Sequence, residues 1–285
     1  MPRLPAGLHP RPAPLLQFGP GMYKRSTILA VALATVLAAG CGSAGGGGDF
    51  NLISIEEEWQ LGAQLSQDIA RQVRLNTDPT VNSYVSNMGQ RLVAQTPAPF
   101  NQLPWQFHVI QDPAINAFAI PGGHVYVNTG LIAAADNAAE LAGVLAHEIS
   151  HVTARHSTEQ LSRQYGISVL AGIALGQNPN ALAELGAQIL AGGALARFSR
   201  EAEREADELG IQAMAGAGYN PIGMATMFEE LLQNRQQSPG RVEQFFSTHP
   251  LTEERLRDSR NRAERLGNRG TLDEPGFQEV KRRVT

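Results

Sequence analysis

The spacing of apolar residues along the chain predicts a mostly helical protein. Ser54 is followed closely by three consecutive glutamates, which is typical of a helix start, and apolar residues then recur at helical spacing from Trp59 onward. Asp78 and Pro79 predict the start of a second helix, because an acidic N-cap followed by proline suits the first helical turn.

Further helices are predicted later in the chain. Residues 137–156 are apolar over most of their helical surface, which indicates a buried helix, and Asp136 is its expected N-cap. A helix over residues 199–216 ends in glycine-rich sequence. Residues 250–266 mix acids with arginines, so this last helix is expected to present a solvated face.

Near-alternation of apolar and polar residues predicts three short strands between these helices. The strands cover residues 105–110, 116–120 and 124–128, and a Pro-Gly-Gly turn joins the last two. The combination predicts an α+β fold, mostly helical, with a small antiparallel sheet beside the buried helix.

Residues 158–198 contain two helical stretches rich in alanine and glycine, separated by residues 176–180. Each apolar block is interrupted or shorter than the roughly 20 residues that span a bilayer. The pair is expected to pack on the core as a helical hairpin. A membrane-facing or substrate-gating hairpin is the alternative.

The N-terminal sequence indicates export. Met22 is the expected translation start, and two basic residues then precede a short apolar run over residues 28–39, as in a secretory signal. The sequence up to Cys41 resembles a bacterial lipoprotein signal, in which the cysteine carries the lipid, although Ala38 stands where leucine is more common. An ordinary signal with an unmodified cysteine is the alternative. Residues 42–49 then form a flexible glycine-rich tether.

The amino-acid composition and charge exclude intrachain disulfides and thiolate metal clusters and argue against a nucleic-acid partner. The 285 residues include a single cysteine, so an intrachain disulfide and a thiolate cluster for zinc or iron and sulfur are impossible. The net charge is −4, and the first 40 residues carry four basic and no acidic side chains, which leaves −8 on the rest. This acidic body argues against nucleic acid as a partner.

The most informative motif is His147-Glu148-Ile149-Ser150-His151, inside the predicted buried helix. Histidines four residues apart share a helix face, so both imidazoles can reach one Zn²⁺, and Glu148 can project into the same cleft. Two histidines and an acid among apolar residues would be costly to bury without a metal. The motif therefore predicts a catalytic zinc site.

A catalytic zinc site needs a third protein ligand. The metzincin pattern requires glycine and histidine where this chain has Ala154 and Ser157, so that class is excluded. His156 lies about 140° around the helix from His151, and we expect it not to bind the metal.

The helix predicted over residues 199–216 supplies acidic candidates for the third ligand. Glu203 and Asp207 share a face, an arrangement that resembles the gluzincins, in which the glutamate is the third ligand and the aspartate orients a ligand histidine. Glu205 remains a competing candidate, because spacing alone does not exclude it.

Four segments together resemble the zinc metallopeptidases related to HtpX and the CaaX prenyl proteases, particularly their periplasmic lipoprotein branch of the BepA and LoiP type. The segments are residues 115–131, 140–152, 198–210 and 247–251. The resemblance implies a zincin-like fold in which Asn116, Ala117 and Phe118 lie on an edge strand that binds an extended substrate. It also implies that His249 stabilises an oxyanion or, alternatively, binds zinc and blocks the site.

The expected function is a zinc-dependent endopeptidase of the bacterial envelope, exported to the periplasm and lipid-anchored to the outer membrane. One Zn²⁺ per chain, held by His147, His151 and Glu203, activates a water, with Glu148 as general base. Its polypeptide substrates are misfolded or unassembled envelope proteins. The alternative is an envelope chaperone or assembly factor with a latent, self-blocked zinc site. The expected organisation is an upstream segment with signal peptide (1–40), a tether (41–52), a zinc metallopeptidase domain (53–266) and a tail (267–285).

Overall fold

The structure is a computed structural model that describes residues 53–192, 195 and 197–285. Within these residues the helices are α1 (Ile55–Gln72), α2 (Pro79–Val93), α3 (Thr129–Ala134), α4 (Ala138–Thr153), α5 (His156–Tyr165), α6 (Ile167–Ala174), α7 (Pro179–Leu190), α8 (Arg200–Gly216), α9 (Ile222–Gln237), α10 (Pro239–Thr248), α11 (Glu253–Arg265) and α12 (Phe277–Val284). The strands are β1 (Gln106–Ile110), β2 (Ala117–Ile120) and β3 (His124–Asn128). The predicted α+β class is confirmed.

Side-chain caps define where the helices begin. The Ser54 hydroxyl accepts a hydrogen bond from the Glu57 N–H, and the Glu57 carboxylate accepts one from the Ser54 N–H, so α1 starts at the predicted position with a capping box. Asp78 caps α2, as predicted. The predicted N-cap of α4 is wrong: Asn137 rather than Asp136 caps this helix, because its side chain accepts a hydrogen bond from a first-turn N–H.

The three strands form one sheet in the order β1-β3-β2. β2 and β3 are antiparallel, with Phe118 opposite Tyr126. β1 pairs with β3 in parallel, with His108 opposite Tyr126, so the prediction of an antiparallel sheet is wrong for this pair and the sheet is mixed. After β1 the chain crosses to the opposite edge of the sheet to form β2, and the tight turn then leads into β3 at the centre. The alternation of apolar and polar residues does not predict this strand order. β2 is consequently an edge strand.

Helix α4 lies at the centre of the fold, and residues 138–152 are buried throughout. It packs against α2, α8, α9 and β2. A Cβ added at Gly210 of α8 would lie 3.2 Å from backbone atoms of Ala146 and His147, so this glycine allows α8 to approach the motif helix closely. The close contact aligns the acidic face of α8 with the histidines of α4.

Helices α6 and α7 form the predicted helical hairpin and pack on α1. The side chain of Gln64 in α1 donates a hydrogen bond to the carbonyl of Ala174 at 2.6 Å. Leu170 and Leu185 are buried in an apolar cluster shared with α1, whereas Leu175 at the end of α6 is exposed. Across the described part of the chain, no helix combines the length and apolarity needed to cross a membrane.

The C-terminal residues 267–285 contain α12, a helix that the sequence pattern does not predict. Phe277 and Val280 are fully buried in the main apolar cluster, and α12 packs against α2 and α3. Arg283 forms an ion pair with Asp78, the N-cap of α2, at 2.9 Å. The end of the chain therefore packs on the same core as the motif helix.

A partly buried ion pair joins the first described residues to the segment between α4 and α5. Glu58 of α1 accepts hydrogen bonds from Nε of Arg155, at 2.8 Å, and from the hydroxyl of Thr158 in α5. Arg155 links α4 to α5 with a left-handed φ of 60°, and its Nη2 donates to the carbonyl of Ile53. We call these contacts the Arg155 clasp. The clasp holds the start of α1 beside the C-terminal end of α4.

Two stacked histidines of the sheet make stability sensitive to acid. The rings of His108 and His124 are parallel, with centroids 5.6 Å apart, and His124 is buried. Burial, reinforced by the charge of His108, lowers the pKa of His124 to about 4. Because folding lowers this pKa, the residue's contribution to stability is complete above its unfolded pKa near 6.5 and is lost as the pH falls towards 4.

We expect protonation of His124 to lower the free energy of unfolding by roughly 3 kcal/mol between pH 6.5 and 4. Urea unfolding at both pH values, for the wild type and for His124→Gln, measures this contribution as the difference between the two pH-dependent drops. An equal drop in both proteins would contradict the prediction.

Candidate metal centre

The motif residues of α4 converge on one buried point. His147, Glu148 and His151 are each no more than 2% exposed. The Nε2 atoms of His147 and His151 lie 3.0 Å apart, as expected for residues one helical turn apart on the same face. The sequence-predicted pair of histidines is thus brought together with its glutamate alongside.

Helix α8 adds a carboxylate to this point. Glu203 is buried, and its Oε1 lies 3.4 Å from Nε2 of His151, while its Oε2 lies 3.5 Å from Nε2 of His147. Glu205, the competing candidate, has a 60% exposed side chain and contacts Nε2 of His156 instead, at 3.4 Å. The structure therefore brings Glu203, and not Glu205, to the histidine pair.

His249 completes the cluster from the residue after α10. Its Nδ1 lies 3.0 Å from Oε1 of Glu203 and 3.2 Å from Nε2 of His147. On the other side of the ring, Nε2 lies 3.3 Å from Oε1 of Glu148. The structure therefore places His249 beside both His147 and Glu148.

The donor set fits a zinc ion. Four ligand atoms, all within 4.8 Å of one another, are contributed by His147, His151, Glu203 and His249. Imidazole nitrogens and a carboxylate oxygen are the ligands of catalytic zinc sites. Ring nitrogens that face one another at 3.0 and 3.2 Å leave few arrangements of protons, and a cation between them satisfies every lone pair. These residues could therefore hold the metal predicted from the sequence.

The outward-facing nitrogens of the two motif histidines also have partners. Nδ1 of His147 lies 2.9 Å from Oδ1 of Asp207, which favours the tautomer whose Nε2 lone pair faces the cluster. Nδ1 of His151 lies 3.0 Å from Nδ1 of His156. Asp207 thus lies behind His147, and His156 lies behind His151 rather than within the four-residue cluster.

Arg255 is the buried functional candidate that the sequence analysis missed. It belongs to α11, whose arginines were expected on a solvated face, yet it is only 5% exposed. Nε and Nη2 donate to the two carboxylate oxygens of Asp207 at 2.8 and 2.7 Å. The expectation for α11 is wrong at this residue. A signal was present, because Arg255 is the first basic residue after the His249-Pro250 pair, but nothing in its spacing identifies its partner.

Burial and neighbouring charges shift the pKa values of His147 and Glu203 in opposite directions. Burial raises the pKa of Glu148. Burial alone would lower the pKa of His147, but Asp207 and Glu203 outweigh it and raise the pKa to about 9. Burial would also raise the pKa of Glu203, yet His249 and other positive charge hold it well below its usual value. The lowered pKa favours the ionised form of Glu203, which is the form in which a carboxylate binds a metal.

Edge strand β2 borders the cluster. Asn116 lies immediately before β2, and Ala117 and Phe118 are its first residues, so all three are at the predicted edge. The backbone of Ala119 hydrogen-bonds the carboxylate of Glu148 and lowers its pKa in part. The strand that was expected to bind substrate is thus adjacent to the expected general base.

The last turn of α10, which leads directly into His249, is hydrogen-bonded to the segment before α8. The N–H groups of Arg197 and Phe198 donate to the carbonyls of Ser247 and Thr248, at 3.1 and 3.3 Å. The ring of Phe198 stacks on His151 with centroids 4.1 Å apart. Together these contacts cover the cluster, which accounts for its near-complete burial.

Cys41, the residue expected to carry a lipid, lies outside the described residues.

A pair of histidines one turn apart on a buried helix, a glutamate beside them and a carboxylate from a second helix define a metallopeptidase. The chain belongs to peptidase family M48, whose sequence model matches residues 79–263. The family assignment expected from the sequence is confirmed.

Similar proteins extend this assignment. The beta-barrel assembly-enhancing protease of Escherichia coli K12 is 37% identical over 223 residues, which cover 75% of this chain and 45% of that protein. A protein of the same name from Yersinia pestis is 33% identical over 242 residues, covering 81% and 49%. The mitochondrial metalloendopeptidase OMA1 of Schizosaccharomyces pombe is 32% identical over 211 residues, covering 73% and 61%. The chain thus spans about half the length of the curated relatives that it matches.

Proposed function

We propose that this protein is a zinc-dependent endopeptidase of the bacterial cell envelope that cleaves misfolded or unassembled proteins. The observation that carries the proposal is the buried cluster of four ligand atoms within 4.8 Å, with Glu148 beside it. His147, His151 and Glu203 are the catalytic ligand set, which leaves a position for water and substrate when His249 moves away.

Zinc in such a site polarises a carbonyl and lowers the pKa of a water molecule to about 7. Glu148 accepts a proton from the attacking water and delivers it to the leaving amine. Burial raises the pKa of this carboxyl, which brings it closer to the range in which a general base is effective at neutral pH. Asp207 keeps His147 in the tautomer that presents Nε2.

The substrate binds as an extended strand along β2. Support comes from the position of β2 at the sheet edge and from the backbone contact between Ala119 and Glu148. A peptide that adds to this edge has its backbone hydrogen-bonded by Asn116, Ala117 and Phe118 and lies within reach of the general base.

The envelope setting is supported by two independent features. The N-terminal sequence has the pattern of an export signal that ends at Cys41, where lipid attachment would tether the protein to the outer membrane. Relatives in two bacteria carry the name beta-barrel assembly-enhancing protease. Unassembled envelope proteins present extended segments, which suit binding along an edge strand.

Digestion of a broad peptide library and of an unfolded protein tests this function directly. Zinc content is measured first, and cleavage is then compared for the purified protein, the protein treated with a chelator, and the chelated protein after zinc is restored. We expect cleavage that is lost on chelation and recovered with zinc. A zinc-loaded protein that cleaves neither substrate under any condition would contradict the proposal.

A second candidate, a latent envelope assembly factor, is favoured by one observation. His249 lies within the cluster, and the Phe198 segment is hydrogen-bonded to its loop, so the site is closed. In this function the zinc site stabilises the fold, and the protease is active only when the His249 loop opens.

His249→Ala separates the two roles of this histidine. If His249 blocks the site, we expect the variant to bind zinc less tightly and to cleave an unfolded substrate faster than the wild type, because the fourth position becomes accessible. If it stabilises the oxyanion, cleavage falls by about 10²- to 10³-fold. Geometry favours the first outcome, and initial rates at saturating zinc decide between them.

A further inference from the structure

Arg255 is an ionised group enclosed by the fold. It lies in the first turn of α11, is 5% exposed, and its guanidinium stands over the ring of Phe228 at 5.0 Å. A buried guanidinium is unfavourable unless it is paired and hydrogen-bonded. Its hydrogen-bond and ion-pair partners therefore account for its position, and each belongs to the candidate metal centre or adjoins it.

The first partner is Asp207. Arg255 spans both carboxylate oxygens, with Nε to Oδ2 at 2.8 Å and Nη2 to Oδ1 at 2.7 Å. The same Oδ1 lies 2.9 Å from Nδ1 of His147. A forked pair fixes the plane of a carboxylate, so Arg255 determines how Asp207 meets the imidazole of His147.

The second partner is Glu203. Nη1 of Arg255 contacts Oε2 of this residue. The other oxygen, Oε1, faces the cluster and lies 3.0 Å from Nδ1 of His249 and 3.4 Å from Nε2 of His151. Arg255 therefore engages Oε2 of Glu203, which also lies 3.5 Å from Nε2 of His147, and leaves Oε1 directed at His151 and His249.

The third partner is the loop that carries His249. Nη1 of Arg255 also donates a hydrogen bond to the carbonyl of Pro250, the next residue, at 3.0 Å. One guanidinium thus contacts the aspartate behind His147, the glutamate from α8 and the loop that completes the cluster. The exposed Arg257, two residues along the same helix, lies outside this set.

We propose that Arg255 is a positioning residue for the metal centre: its fork of Nε and Nη2 holds Asp207 against His147, and its Nη1 orients the carboxylate of Glu203 towards the histidines. This inference rests on the proposed function, because it assumes that the cluster binds zinc. A lysine at this position would keep the positive charge but could not bind both oxygens of a carboxylate. Replacing Arg255 with lysine therefore tests the forked geometry independently of the charge.

The test compares Arg255→Lys with Arg257→Lys, a matched change on the exposed face of α11. Zinc dissociation constants are measured by chelator competition, and the zinc-free proteins are compared by circular dichroism and thermal unfolding. We expect Arg255→Lys to bind zinc about 10- to 100-fold more weakly, the range typical of groups that orient metal ligands. Arg257→Lys should match the wild type, and kcat/KM at saturating zinc should fall only in Arg255→Lys.

The outcomes against the proposal are distinct. A folded Arg255→Lys that binds zinc as tightly as the wild type overturns it, while leaving the proposed function intact. If Arg255→Lys does not fold, Arg255→Gln, which keeps hydrogen-bond donors, replaces it, and loss of fold in both variants assigns Arg255 a purely structural role and also overturns the proposal. A wild-type protein that takes up no zinc overturns the proposed function and this inference together.

Discussion

Glu148→Gln is expected to abolish proteolysis and leave zinc bound. The carboxylate of Glu148 lies beside the ligand cluster, with Oε1 3.3 Å from Nε2 of His249. Glutamine has nearly the same shape but cannot accept the proton of the attacking water. Loss of general base catalysis should lower kcat/KM on the order of 10³-fold. Zinc content should be unchanged, because Glu148 is not among the proposed catalytic ligands.

Glu140→Gln is a matched control for this prediction. Glu140 is another buried glutamate, in the first turn of α4, where it accepts hydrogen bonds from Asp136 and Asn137. Its replacement changes the charge of the same helix without touching the cluster, and cleavage should be retained. Normal digestion of an unfolded protein by Glu148→Gln would show that the enzyme interpretation is wrong.

In cells, Glu148→Gln distinguishes a protease function from an assembly-factor function. A strain that carries Glu148→Gln should share the envelope defects of a deletion strain if cleavage is the function. If the protein acts mainly as an assembly factor, the variant strain should resemble the wild type. The comparison requires equal amounts of both proteins in the envelope, measured by immunoblotting.

Glu203→Ala is expected to cause the largest loss of metal. The variant removes the carboxylate that lies 3.4 Å from His151 and 3.5 Å from His147, and the remaining histidines must bind zinc alone. We expect zinc affinity to fall by more than about 100-fold, which exceeds the range typical of residues behind the ligands. Dialysis against zinc of known concentration, followed by metal analysis, measures the effect.

Glu205→Ala is the control for that variant, because it removes an acid two residues away whose side chain is 60% exposed. Zinc content and cleavage should both match the wild type. If Glu205→Ala lost zinc and Glu203→Ala kept it, the assignment of the third ligand would be reversed. Circular dichroism shows whether Glu203→Ala, which leaves Arg255 with one fewer partner, is still folded.

The sequence allowed the centre of the site to be predicted because a helix has a fixed period. His147 and His151 must share a face, and so must Glu203 and Asp207. The meeting of the two helices and the choice between Glu203 and Glu205 were left open. Gly210 permits that meeting, since α8 approaches α4 to within a distance that a side chain would prevent. A short-range pattern therefore predicted most of the cluster.

Long-range contacts could not be predicted in the same way. Arg255 lies 48 residues from Asp207, and its position shortly after the His249-Pro250 pair does not identify that partner. Periodicity describes which residues share a face, but not which element that face meets. The parallel pairing of β1 with β3 and the packing of α12 were missed for the same reason, because both depend on the path of the chain.

The Arg155 clasp has a mechanical consequence. Arg155 lies four positions after His151, and it donates hydrogen bonds to the carbonyl of Ile53 and the carboxylate of Glu58. Tension on the chain before residue 53 therefore acts on the C-terminal end of the motif helix as well as on the start of α1. Through Arg155 and Glu58, this tension reaches the end of the motif helix without passing along the eighteen residues of α1.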